Sequence, residues 1–170
     1  MDDEIQDIVD EGDNVVGKET RHNIWKKGLE HNVRVVNVFI STSEAKILVP
    51  KRAMNKKTWP GRYDFSCGEN VLSGETYEEA AQRGLLEELG IKNIELESLG
   101  KLTPRNGVSC FMMIFKAVYS GKISEFDKAE VSKVYWLSLD EIGTLLESNP
   151  EKFKRDYKEV FKAFSSRLAS

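Results

Sequence analysis

The sequence of 170 residues predicts an α/β fold, a mixed sheet with helices, one of them in mid-chain. Three observations point there. Val33, Val35, Val36, Val38, Phe39 and Ile40 make a run dense in β-branched residues, as in a buried strand. Thr76 and Glu79 make a capping box, with Ala80, Ala81, Leu85 and Leu89 behind it at helical spacing and Gly90 where a terminating glycine belongs. After that helix the pattern returns to strands and closes on helices.

In chain order, residues 1–20 read as an acidic entry with short strands near Ile5–Val9 and Asn14–Lys18. The Val33–Ile40 strand is followed by a partner at Lys46–Arg52. Ala53–Arg62 is polar and ends in Trp59-Pro60-Gly61, a loop with turn chemistry. Tyr63–Cys67 is a short strand candidate, and the capped helix spans Tyr77–Leu89. Ile94–Leu102, Cys110–Tyr119 and Val131–Leu137 follow as strands, and Ser138 caps a helix over Leu139–Glu147. Asn149 before Pro150 reads as the start of a C-terminal helix over 150–168. Its apolar stripe, Phe153, Tyr157, Val160, Phe161, Phe164 and Leu168, is read as core, with a homodimer face as the alternative. A single domain is expected at this length, with short connections and no repeat.

Composition narrows the function classes. With 40% hydrophobic residues the chain can build a core. No apolar run approaches the roughly 20 residues that span a bilayer, so no membrane partner is expected. Met1–Asp13 holds seven acids and no base, the opposite of a targeting leader, and Cys67 and Cys110 make no disulfide framework. A cytoplasmic location is the simplest expectation. A pI near 5.6 argues against nucleic-acid binding. The net charge of -3 conceals two blocks: Lys46–Arg62 has six bases and no acid, while Glu69–Gly90 has six acids and one base.

The acidic block carries chemistry. Glu87 and Glu88 share a helix face with position 84. Two adjacent glutamates on a rigid helix, with a glycine-bearing loop opposite, suit a hard divalent cation such as magnesium or manganese. The plainer alternative is a solvated acidic face with Glu87 paired to Arg83.

Ser66–Ile91, SCGENVLSGETYEEAAQRGLLEELGI, resembles the signature of the Nudix hydrolase family. That signature is a glycine, five spacers, a glutamate, seven spacers, then Arg-Glu-aliphatic-x-Glu-Glu-x-Gly-aliphatic. Set on Arg83, it aligns Glu75, Leu85, Glu87, Glu88, Gly90 and Ile91 together. Val131, Tyr135-Trp136-Leu137 and Asp140-Glu141-Ile142 are similar to the family's late strand and following helix, so the likeness covers most of residues 30–145. The resemblance implies a Nudix α/β/α sandwich with a central mixed sheet. It implies metal-dependent hydrolysis of a diphosphate bond in a small nucleotide-like substrate. Glu87 and Glu88 would then be catalytic and metal ligands, the Gly68 carbonyl a backbone ligand, and Glu75 with Arg83 a brace between loop and helix. Two positions depart. Glu69 stands where the pattern begins with glycine, and Gly84 stands where it has the glutamate after arginine. Gly84 can neither deprotonate water nor hold metal, so a slow or inactive enzyme is expected unless another acid serves, with Glu130 as the candidate. A catalytically weakened scaffold acting as a ligand-binding or regulatory protein is the second reading.

Lys51–Gly61 and Lys27-Gly28-Leu29-x-His31 look like a narrower branch, the isopentenyl-diphosphate isomerases and hydrolases similar to them. By that likeness Arg52 and Lys56 would contact the substrate diphosphate, a task suited to guanidinium and ammonium groups. Cys67 sits where the isomerases keep a catalytic cysteine. The isomerase histidines are missing, since only His22 and His31 exist, and no acid occurs from Ser98 to Ser124. Isomerisation and zinc binding are therefore not expected. Trp59 is read as a loop anchor rather than a stacking platform.

Overall fold

The computed structural model describes residues 3–123 and 125–170. Strands β1 (Ile5–Val9) and β2 (Val15–Thr20) form an antiparallel hairpin, followed by helix α1 (Arg21–Lys27). The central sheet contains β3 (Arg34–Ser41), β4 (Ile47–Arg52), β5 (Cys67–Asn70), β6 (Glu97–Leu102), β7 (Phe111–Val118) and β8 (Val131–Leu137). Its order is β6-β7-β3-β4-β8, with β5 paired to β3 off this path. β3 and β7 run parallel and the other pairs antiparallel, so the sheet is mixed. Helices α2 (Tyr77–Leu89), α3 (Leu139–Ser148) and α4 (Tyr157–Leu168) complete the described elements.

Period-two alternation explains the layering. On β3 and β4, Val36, Val38, Ile40 and Leu48 pack with Ala80, Ala81, Leu85 and Leu89 of α2. Val33, Phe39, Ile47 and Val49 pack on the opposite face with Ile24 of α1, Ile142 and Leu146 of α3, and the stripe of α4. The result is an α/β/α sandwich around a mixed sheet. The stripe Tyr157, Val160, Phe161, Phe164 and Leu168 is buried within one chain. Among the described residues no helix is long and apolar enough to cross a membrane.

One feature of the sheet creates the site. β3 and β4 pair only at Ser41 and Ile47 and then diverge. β5 enters that gap, pairing Val35–Val38 of β3 with Asn70–Cys67. Ser66, fully buried, bridges the divergence: its hydroxyl accepts from the Ile40 amide at 2.8 Å and donates to the Leu48 carbonyl at 2.6 Å. A buried side chain thus satisfies backbone groups that no strand ladder reaches.

Four expectations are corrected. Residues 21–27, for which no element is expected from the sequence, form α1, because Thr20 caps the Asn23 amide at 3.3 Å and Gly28 ends the turn in the left-handed region. His31, read as opening a strand, lies before β3. The strand read at Tyr63–Cys67 begins only at Cys67; Tyr63 makes isolated bridges to Lys51 and Phe153. The C-terminal helix read over 150–168 is broken. Pro150–Lys152 is one 3-10 turn, Asn149 makes no side-chain cap, and Phe153 is extended. The segment 152–154 docks beside Tyr63 instead, through Tyr63 N to Lys152 O and Lys154 N to Tyr63 O, each 2.8 Å. Smaller boundary shifts place β6 at Glu97 rather than Ile94.

Candidate active site

Helix α2 is held at its start by the expected reciprocal cap: the Glu79 amide donates to Thr76 Oγ1 at 3.1 Å and the Thr76 amide to Glu79 Oε2 at 2.8 Å. Such a cap contributes about 1 kcal/mol. The loop from β5 into α2 is tied down by Arg83. Its Nε donates to Glu75 Oε1 at 2.8 Å and its Nη2 to Glu75 Oε2 at 3.0 Å and the Asn70 carbonyl at 2.8 Å. Glu75 also accepts from the Leu72 amide at 2.8 Å. Burial opposes ionisation of Glu75, yet the Arg83 and Leu72 donors hold its carboxyl below the ordinary range. The Glu75–Arg83 pair thus joins loop to helix.

Glu87 and Glu88 differ despite adjacency. Glu87 is 59% exposed, with its carboxylate 3.6 Å from Arg83. Glu88 turns inward, where its carboxyl meets that of Glu69 from β5. Burial first, and then the charge of Glu69, pushes Glu88 well above the usual carboxylate range; burial raises Glu69 too. Burial and mutual charge thus act together against ionising both acids of this pair. Glu69 also lies 3.3 Å from Arg83 Nη1.

Gly84 is fully buried on α2. A Cβ added there would lie 2.2 Å from Cγ and 3.3 Å from Cβ of Glu69, and 2.9 Å from Sγ of Cys67. Mid-helix glycine costs about 1 kcal/mol relative to alanine. The side chain of Glu69 occupies the space and explains it. Cys67 is buried, and that burial, with Glu88 and Glu69 nearby, raises its thiol pKa well above the ordinary value. It is a protonated core residue rather than a nucleophile.

The bases have partners. Arg52 Nη1 donates to Asp64 Oδ2 at 2.9 Å, and Nη2 to the Thr58 carbonyl at 2.9 Å, closing the 53–61 loop. Lys56 pairs with Glu130 at 2.6 Å, so the candidate base is held by a candidate substrate-binding lysine. Trp59 lies under the Arg62 guanidinium, 4.7 Å from ring centre, as suits a loop anchor. Arg52, Lys56, Gly68, Glu69, Glu87, Glu88 and Glu130 all line one cleft of about 400 Å³. Glu75 and Arg83 brace it from behind.

Sequence reasoning missed Asp64 and Lys154, which line the same cleft 3.5 Å apart. Lys154 lies 3.6 Å from where a Cβ on Gly68 would stand, beside Asn37 Oδ1 at 2.9 Å. No spacing signals Lys154, because only the break before α4 brings it there. The first strand and α1 also contribute a wall: Glu4, Gln6, Arg21 and Trp25. Among the described residues no three His, Cys, Asp or Glu side chains converge as a ready cation cage. The inward donors are the Glu69 and Glu88 carboxyls, a set that a hard divalent cation could take with waters and substrate oxygens.

Comparison with known proteins gives the family. A NUDIX domain family model matches residues 31–164. An uncharacterised Nudix hydrolase from Nostoc sp. is 39% identical over 142 residues, covering 82% of this chain and 83% of that one. An isopentenyl-diphosphate Delta-isomerase from Serratia proteamaculans is 29% identical over 157 residues, 89% of this chain and 86% of that one. A crystal structure from Deinococcus radiodurans matches with a TM-score of 0.85 and 31% identity, covering 94% of this chain and 98% of that one. With its fold and signature helix both in place, the chain belongs to the Nudix family, near its isomerase-like members.

Proposed function

We propose that this protein hydrolyses a diphosphate linkage in a nucleoside diphosphate derivative or similar substrate, with magnesium or manganese held between β5 and α2. The observation that carries this reading is one cleft combining the Glu69–Glu88 carboxyl pair with Arg52, Lys56 and Lys154. Glu88 is the central side-chain ligand, with the Gly68 carbonyl beside it. Glu87 joins by turning from Arg83. Bound there, the cation would neutralise phosphate charge and lower the pKa of the attacking water. Arg52 and Lys56 hold the diphosphate, and the Asp64 and Glu130 pairings keep those bases in place until substrate arrives. Isopentenyl-diphosphate isomerisation is not proposed, because the Cys67 thiol is protonated and buried and the later strand carries no acid between Ser98 and Ser124.

A second reading, a ligand-binding or regulatory protein on a weakened Nudix scaffold, rests on Gly84. A panel of nucleoside diphosphate derivatives with magnesium or manganese separates the two. Native protein is expected to release phosphate or nucleotide product, and Glu88→Gln to lose about a hundredfold or more in kcat. Turnover unchanged in Glu88→Gln would remove the metal assignment, and binding without turnover would favour the regulatory reading.

A further inference from the structure

We propose that Glu69 supplies, from strand β5, the active-site carboxylate that the Nudix signature places on helix α2 at position 84. The proposal rests on the metal-dependent hydrolase reading above and deepens it. Its basis is a reciprocal exchange. The signature's opening glycine is Glu69 and its glutamate after arginine is Gly84. In space these positions confront each other: Cγ of Glu69 stands 2.2 Å from where a Cβ on residue 84 would begin. The volume that a side chain from the helix would enter is filled by a side chain from the strand.

The direction is fixed by backbone. Glu69 pairs with Val36 in the β3–β5 ladder, and it points to the same side as Cys67, toward α2. Its carboxylate ends 3.3 Å from Arg83 and within hydrogen-bonding reach of Glu88, the two signature residues flanking position 84 on the helix. The carboxylate is therefore delivered to the signature's own neighbourhood, from the opposite wall. Simple loss of the helix glutamate would be met by alanine, the better helix former, and would require no acid at 69. One exchange accounts for both departures. Glu69 and Glu88 together then face the cation and its water.

The test uses the full chain and five proteins: wild type, Glu69→Gln, Gly84→Glu, the double variant Glu69→Gly with Gly84→Glu, and Glu88→Gln. Mn2+ affinity is read by electron paramagnetic resonance, folding by thermal melting, and turnover on the substrate panel. Glu69→Gln keeps shape and hydrogen bonding, so its melting midpoint should hold while Mn2+ affinity falls at least about tenfold. An acid serving only to clamp Arg83 would leave Mn2+ affinity unchanged. Gly84→Glu alone should melt lower, because its Cβ meets Glu69. The double variant should regain both melting midpoint and Mn2+ affinity relative to Gly84→Glu, a coupling that independent sites do not show. Wild-type Mn2+ affinity in Glu69→Gln, with Glu88→Gln impaired, would overturn the role of Glu69 while leaving the hydrolase reading intact. A wild-type protein that neither binds Mn2+ nor turns over would overturn both.

Discussion

Glu88 holds its proton to higher pH in the folded protein than in the unfolded chain. Burial and the nearby Glu69 raise its carboxyl well above the ordinary value of 4.5. Between the ordinary and the raised value the folded state binds more protons than the unfolded one, so this group's effect on stability worsens as pH rises through that window. Below the ordinary value the penalty vanishes, since both states are protonated. Glu88→Gln cannot ionise and can still donate to Glu69. In chelator, it should therefore melt above wild type at pH 8, with the gain shrinking toward pH 4.5. At this chain size about 1 kcal/mol moves the midpoint about 2–4 °C. Melting curves across pH decide it; an equal gain at every pH would show that ionisation is not the cause. Glu75, Arg83, Glu87 and Glu88 were legible in sequence because a single helix and its preceding loop fix their spacing. Glu69 was visible only as a departure. Placing the strand at Tyr63–Cys67 hid the alternation that aims Cys67 and Glu69 at the same helix.

The β1–β2 hairpin shows how a segment whose sequence signals strands but no function ties the fold together. Asp13, in its turn at φ 63°, receives Arg34 Nε at 2.6 Å and the Tyr77 hydroxyl at 3.0 Å, and pairs with Lys101. It joins the hairpin to β3, α2 and β6. Burial works against its charge, but the Lys101, Arg34 and Tyr77 donors win and hold the carboxyl below its ordinary value of 3.8. The stability it contributes is present above that value and is lost as pH falls through the lowered folded value. Asp13→Asn tolerates the left-handed backbone and removes only the charge. It should cost about 1.5–3 kcal/mol at pH 7, with a smaller difference from wild type at pH 3, below the ordinary carboxyl value. Denaturant titrations at both pH values check this, and a cost independent of pH would contradict it. The strands and capped helices were readable from periodicity and cap chemistry. Helix α1 was not, because Ile24 is its one fully buried residue and seven residues give no stripe to detect.

Across the whole molecule the cleft draws on widely separated parts of the chain: the first strand, the β5–α2 unit, the 53–61 loop and the segment before α4. Two of the six bases in the basic block are paired inside the cleft, Arg52 with Asp64 and Lys56 with Glu130. Lys154 joins them from far along the sequence. Lys154→Ala should raise KM for a diphosphate substrate about tenfold or more, the value of one charge-assisted hydrogen bond, while the melting midpoint moves little. Steady-state kinetics beside melting curves test it; an unchanged KM would remove Lys154 from the substrate site. Such convergence is what sequence patterns cannot show, because nothing local records that residues 63 and 153 lie side by side.

The hairpin also grips the signature loop directly. Ser73 Oγ donates to Asp7 Oδ1 at 2.6 Å, the Ser73 amide to the Ile5 carbonyl at 2.9 Å, and Gln6, fully enclosed, bridges Leu72. One short segment thus holds the signature loop through Ile5 and Asp7 and lines the candidate cleft with Glu4 and Gln6. Any change that displaces β1 therefore moves the signature loop and one wall of that cleft together.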